Sequence, residues 1–295
     1  MTIKEAEKIV RSFDENNNPS EDEVFLFTEA LKFLIDEKHD PEDMMCLGGY
    51  YYEIRRFDLA LKYYEMAAGY DYDQAYECLG YIWYYGRTGK VDHKKAYEYF
   101  SKLMDKGNPV AAYKVADMYK NGYYVEKNQK KYEEIIEELY PKTEDMYNAF
   151  DPVPEILTRL AGIRKEQGDI ENAIELYQDA KYFLVRRIEL NPFFGNLNIM
   201  KWLITDLYQL KEFDHENFDL YDLYYLLNEN CRVSFYYGDE VLEIQSEMAN
   251  GKGIAFAGKW FLDIDSFFRD ASINDYKLTG VASRLFGFKI KEEAI

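Results

Sequence analysis

The chain reads as mainly α, a stack of paired helices followed by a small α+β module. Two observations carry this: small and aromatic residues recur at fixed spacing between residues 46 and 180, and apolar periodicity changes from helical to alternating after residue 230. Self-similarity is the first signal to seek, because a repeat unit that cannot bury its own apolar face stacks on its neighbours. The 295 residues suffice for one elongated array or two compact domains.

Two helices are expected ahead of the repeats, over 2–14 and 21–38. The second opens at Ser20 with Glu23 three residues on, the spacing of a capping box. Between them DENNNPS reads as a loop. The pair should cap the first exposed face of the array.

The repeat pattern is set by CLGGYYYEIRRFDLALKYYEMAA (46–68). Leu47 stands 13 residues before Ala60, and Leu160 stands 13 before Ala173 in RLAGIRKEQGDIENAIELYQDA (159–180). In both, Ala is followed four residues later by Tyr64 or Tyr177 and seven later by Ala67 or Ala180. Two middle units have a longer turn: Leu79 to Ala96 is 17 residues, as is Val115 to Tyr132. Gly48, Gly80, Ala116 and Ala161 let a first helix approach its partner, while Tyr64, Phe100 and Tyr177 fill the space between the two.

The 13-residue units resemble tetratricopeptide repeats. The 17-residue units resemble Sel-one-like repeats, whose pattern Ala75, Leu79, Gly80, Gly86, Asp92, Lys95 and Ala96 match. The third unit departs from it, with Val115, Ala116, Asn128 and Tyr132 where Leu, Gly, Asp and Ala are expected, so it is either distorted or the end of the regular array. The resemblance covers about residues 40–190. It implies a right-handed α-α superhelix and a role in protein–protein interaction, since both families are scaffolds and adaptors.

Asn191-Pro192 should close the helix that begins near Asp169, with helices following at about 195–210 and 216–229. CRVSFYY (231–237), EVLEIQSE (240–247) and IAFAGKWFL (254–262) then read as three short antiparallel strands, because the links between them are too short for parallel crossovers. Two helices are expected last, over 263–271 with Asp263 as its cap, and over 276–288. The domain organisation is thus 1–190 repeat array, 191–229 connecting helices and 230–295 α+β module.

Charge narrows the partners. The net charge is −19, from 55 acidic and 36 basic residues, which repels phosphate backbones and anionic membranes and favours a basic protein. The N-terminus carries no apolar run of signal-peptide length and no stretch long enough to span a bilayer, so a cytoplasmic location is expected. Cys46, Cys78 and Cys231 are too few and too scattered for a disulfide framework or zinc cluster. The 29 tyrosines suit half-buried helix faces and binding surfaces equally.

Catalytic signals are weak. His39, His93 and His215 each stand alone in charged, turn-like contexts, and no HExxH, GxSxG or P-loop is present. No cofactor or metal is expected. The GxG at Gly251 to Gly253 lies between two strands and reads as a hairpin turn. A carboxylate-based hydrolase site around Lys259, Trp260, Asp263 and Asp265 is the competing reading to an interaction module.

In tetratricopeptide-type arrays the first helix of each unit lines the concave surface. Carried onto this chain, the resemblance places Met45, Tyr52 and Glu53, then Glu77, Tyr81, Tyr84 and Tyr85, then Tyr113, Asp117 and Lys120 there, with Thr158, Lys165 and Glu166 from the unit at 159–180. A groove of tyrosine and carboxylate suits a basic or extended segment held by cation–π and charge-assisted contacts. The other reading is that these tyrosines pack between helices and the acids face water.

Overall fold

The computed structural model describes residues 1–14 and 19–291, and the chain divides into two compact units, 1–135 and 136–295. In the first, α1 (Ile3–Asp14), α2 (Glu21–Lys38), α3 (Pro41–Glu53), α4 (Phe57–Ala68), α5 (Asp73–Tyr85), α6 (His93–Asp105) and α7 (Pro109–Asn121) follow one another, and α8 (Gln129–Leu139) crosses the boundary. Successive helices pack as hairpins: α1 on α2, α3 on α4, α5 on α6, with α2 on α3, α4 on α5 and α6 on α7 joining the pairs.

The helix ends are set by local chemistry. Ser20 Oγ accepts from the Glu23 amide at 3.3 Å while Glu23 Oε2 accepts from the Ser20 amide at 2.8 Å, the reciprocal capping box. Part of DENNNPS, residues 15–18, lies outside the described residues. Asp40, Asp92 and Asn108 cap α3, α6 and α7. The longer turns of the two 17-residue units begin at Gly86 and Gly122, both left-handed, at φ 60° and 70°.

The small residues sit where close approach needs them. A Cβ on Gly48 would lie 2.6 Å from a ring carbon of Tyr64, and one on Gly80 would lie 2.5 Å from a ring carbon of Phe100. Ala60, Ala67, Ala75 and Ala96 are fully buried beside them. The departing third unit still forms α7 and α8, with Ala116 and Tyr132 both buried.

The second unit begins with a 3-10 segment (Tyr140–Asp145), then α9 (Val153–Glu166), α10 (Ile170–Leu190), α11 (Phe194–Leu207) and the single turn α12 (Leu223–Leu226). α9 and α10 form the hairpin of the 159–180 repeat, and α11 packs on α10. The helix expected over 216–229 is replaced by turns and α12. The reason is local: the Asp214 carboxylate accepts from the Glu216 and Asn217 amides at 2.9 and 3.0 Å, and Asp219 accepts from Tyr221 at 2.8 Å, bonds that compete with a helical ladder.

Strands β1 (Asn230–Tyr237) and β2 (Glu240–Glu247) pair antiparallel as expected. The third expected strand is two: β3 (Ile254–Phe256) and β4 (Lys259–Phe261), folded back across the left-handed pair Ala257-Gly258. After α13 (Ile264–Asp270), which Asp263 caps, comes a larger correction: 276–288 is not a helix. Short strands β5 (Ser272–Ile273) and β6 (Tyr276–Lys277) pair, a 3-10 segment runs over Leu278–Arg284, and β7 (Leu285–Lys291) joins the sheet beside β1. Leu285 and Phe288 are buried on either side of a bulge at Gly287, and pairing with the β1 edge outweighs any helical tendency of the stretch. The sheet order is β4-β3-β2-β1-β7. Its inner face, with Val233, Phe235, Ile244 and Phe256 buried, makes a core with Phe267, Phe268, Leu278 and Val281.

Candidate functional site

Four of the predicted groove residues, Tyr81, Tyr84, Tyr85 and Tyr113, fall into one aromatic cluster of the first unit. Tyr81, Tyr84 and Tyr85 occupy the C-terminal half of α5, where spacings of three and four residues put them on adjoining faces. The Tyr81 and Tyr85 rings stack at 6.1 Å, Tyr84 meets Tyr85 edge-on at 4.9 Å, and the Tyr81 and Tyr113 hydroxyls share a hydrogen bond of 2.9 Å between α5 and α7. Tyr84 also contacts Tyr123 and His93, whose rings stack on each other at 4.2 Å.

The centre of this cluster is occupied by the chain itself. Lys114, on α7 and only 4% exposed, donates to the Tyr85 hydroxyl at 2.8 Å. Its ammonium lies 5.0 to 5.3 Å from the ring centres of Tyr81, Tyr84, Tyr85 and Tyr113. Four ring quadrupoles thus stabilise a cation that burial alone would penalise. A second cation flanks it: the Arg87 guanidinium lies 4.8 Å from the Tyr85 ring and 5.9 Å from Phe57. Tyr52 meets Phe57 edge-on at 5.1 Å, and burial pushes its phenol pKa up against the pull of Arg87.

The other predicted residues divide by exposure. Tyr85 is 43% exposed and Glu53 is exposed at the end of α3, whereas Glu77 is half-buried and accepts from Asn108 Nδ2 at 3.4 Å. Tyr113 and Asp117 are buried in α7. Of the remaining candidates, Met45 is half-buried in the core around Phe27 and Leu47, and Lys120 lies 4.8 Å above the Tyr132 ring. In the second unit Lys165 donates to Gln209 at 2.9 Å. The residues that sequence reasoning missed are Lys114 and Arg87. Lysine every few positions is ordinary in a helix, and only the three-dimensional convergence of α5 and α7 marks this one.

The carboxylates proposed for hydrolysis have structural duties. Asp263 Oδ1 accepts from the Ser266 amide at 2.6 Å as the cap of α13, which holds its pKa below the ordinary carboxylate value, and Asp265 is ion-paired with Lys201 at 2.8 Å. Trp260 and Lys259 are exposed on β4. Among the described residues, no group of three or more His, Cys, Asp or Glu side chains could hold a metal, and no helix is long and apolar enough to cross a membrane.

A buried polar network lies in the second unit. Lys181 of α10 contacts Asp219 and Asp222 at 2.8 Å each, and the Tyr208 hydroxyl donates to Asp222 at 2.8 Å. Burial opposes the Lys181 charge, yet the two carboxylates carry its pKa above the usual lysine value. Lys181, Asp219 and Asp222 line a cleft of about 1050 Å³ together with residues 215–218 and Gly287, Phe288, Lys289 and Ile290.

No family model and no curated protein matches the sequence. Among solved structures, the chain is similar to a Sel1 repeat protein from Oxalobacter formigenes, at 18% identity over 69% of this chain and 77% of that one, with a TM-score of 0.49. It is also similar to a protective antigen of uropathogenic Escherichia coli that displays an SLR fold, at 17% identity over 65% of this chain and 46% of that one, with a TM-score of 0.40.

Proposed function

We propose that this chain is a non-catalytic protein–protein interaction module, an adaptor, regulator or immunity-type protein, that binds a basic or extended partner segment along the first-helix face of its repeats. What supports the reading is one observation: α5 and α7 bring Tyr81, Tyr84, Tyr85 and Tyr113 together in a chain of net charge −19. The resident Lys114 changes how such a partner is met. Because four ring faces, Tyr85 included, already serve that ammonium, an incoming lysine or arginine is recognised by carboxylates rather than by an empty aromatic box. The burial of Asp117 and Tyr113 makes them supports of the surface and not part of it.

The test is fluorescence anisotropy with a labelled arginine- and lysine-rich peptide at two salt concentrations. Binding that weakens as salt rises and falls roughly tenfold in the Glu53→Gln/Glu77→Gln double variant supports the assignment. Equal affinity in that variant overturns it.

A further inference from the structure

The GxG turn between β2 and β3 contains an Asn-Gly pair, Asn250-Gly251. Met248–Asn250 form a single 3-10 turn, Gly251 follows in the left-handed region at φ 70°, and both residues of the pair are exposed. The Asn250 carboxamide has no hydrogen-bond partner among the described residues. Nothing crowds the next residue either: no heavy atom lies within 4 Å of where a Cβ on Gly251 would stand. The Gly251 amide donates to the Met248 carbonyl at 2.9 Å, a bond that closes one turn of three residues with no longer helix behind it.

The same dipeptide occurs at Asn121-Gly122 and is held differently. Asn121 ends α7, and its Nδ2 donates to the Asp117 carbonyl at 2.8 Å, which ties the side chain back toward the preceding turn. The Gly122 amide donates to the Met118 carbonyl at the end of a 13-residue helix, and a Cβ on Gly122 would lie 3.3 Å from the Cβ of Lys127. Bringing the Asn121 carboxamide onto the Gly122 nitrogen therefore requires the last turn of α7 and the loop packed on it to open. At Asn250 only one exposed turn has to open, and local opening of that kind costs far less than opening a packed helix end.

We infer that Asn250 is a site of spontaneous deamidation whose isoaspartyl product loosens β3 from β2. The Gly251 nitrogen, having lost its proton, attacks Cγ of Asn250; a C–N bond forms, the side-chain nitrogen leaves as ammonia, and a five-membered succinimide remains. Water then opens the ring. Opening at the side-chain carbonyl gives aspartate, and opening at the main-chain carbonyl gives isoaspartate, in which the main chain runs through one extra carbon. This turn has little slack to take up that carbon. The Lys252 amide donates to the Glu247 carbonyl at 3.1 Å, the Glu247 amide donates to the Gly253 carbonyl at 2.9 Å, and a Cβ on Gly253 would collide with the Phe261 carbonyl oxygen. The ladder that follows is short, pairing Ser246 with Ile254, Gln245 with Ala255 and Ile244 with Phe256. Either product also adds a carboxylate two residues from Lys252, whose ammonium is paired with Glu247 at 2.6 Å. The site is independent of the repeat face.

The experiment is ageing of the full-length protein in warm, mildly alkaline buffer, with tryptic peptides followed by mass spectrometry and isoaspartate detected by enzymatic methylation. Peptide 233–252 should gain the mass of deamidation about tenfold faster than peptide 121–127, and the two should react at similar rates in urea, where the difference in holding is gone. Asn250→Gln should leave 233–252 unmodified. Hydrogen exchange reads the second half of the inference: amides paired between β2 and β3 should exchange faster in the aged protein than in fresh Asn250→Asp, which carries the new charge without the extra main-chain carbon. Equal rates at the two Asn-Gly pairs of the folded protein overturn the proposal, as does a rate ratio that persists in urea. So does exchange between β2 and β3 that is as slow in the aged protein as in Asn250→Asp.

Discussion

The ring of Phe100 lies where a side chain on Gly80 would begin: a Cβ there would stand only 2.5 Å from its nearest carbon. Both residues are buried, and Phe100 is wholly so, which leaves the ring no direction in which to yield. Gly80→Ala should gain roughly 1 kcal/mol of helix propensity but lose about 1–3 kcal/mol to overpacking, a net destabilisation. Thermal unfolding measures it, and adding Phe100→Leu to Gly80→Ala should recover part of the loss. A rise in Tm for the single variant would refute the packing argument.

That pair also explains how much was legible beforehand. Gly48 with Tyr64 and Gly80 with Phe100 could be read from spacing because a hairpin repeat forces the same contact at the same offset each time. The segment 276–288 could not, because its residues become a strand only when the β1 edge, some fifty residues earlier, is there to pair with them. The helix expected over 216–229 does not form because Asp214 and Asp219 bond nearby backbone amides, a competition that helical apolar spacing does not reveal. For the candidate site, the tyrosines were visible and Lys114 was not, since nothing in the order of residues shows that α7 aims a lysine at the rings of α5.

Arg187 and Glu155 form a buried two-point ion pair at 2.6 and 3.2 Å between α10 and α9. The same guanidinium donates to the carbonyls of Ala149 and Asp151 at 3.0 and 2.5 Å, fastening the segment that leads into α9. Arg187→Met should destabilise by about 3–5 kcal/mol, because Glu155 is left buried without its partner. Urea unfolding followed by circular dichroism checks this. The double variant Arg187→Met/Glu155→Gln should be more stable than the single one.

Alkaline pH should unfold the chain cooperatively. Burial raises the phenol pKa of Tyr64, Tyr208, Tyr221 and Tyr224 above the ordinary 10.0, and the carboxylates beside Lys181 raise its pKa above 10.5. Above these ordinary values the unfolded chain releases protons that the folded chain retains. Stability is therefore fully present below about pH 10 and falls as pH rises beyond it. Tyrosinate absorbance and circular dichroism, recorded together, should change in one transition for these buried rings. Ionisation of every tyrosine before any loss of helix would contradict the burial.

Lys114 sets the last expectation, which concerns binding. Its ammonium is buried against the half-exposed Tyr85, to whose hydroxyl it donates, and a cation there opposes an incoming cation even though the rings shield it. Two unit charges at 4 Å in water interact by about 1 kcal/mol, so removing this one should strengthen capture of the arginine- and lysine-rich peptide by no more than roughly fivefold. Lys114→Met keeps most of the volume and is the variant to use, because replacing a buried cation by an apolar group of similar size is commonly tolerated. The gain should be larger at low salt than at moderate salt, since the opposing charge is screened as salt rises. An unchanged or weaker affinity at both salt concentrations would mean that the peptide does not approach this face of α5 and α7.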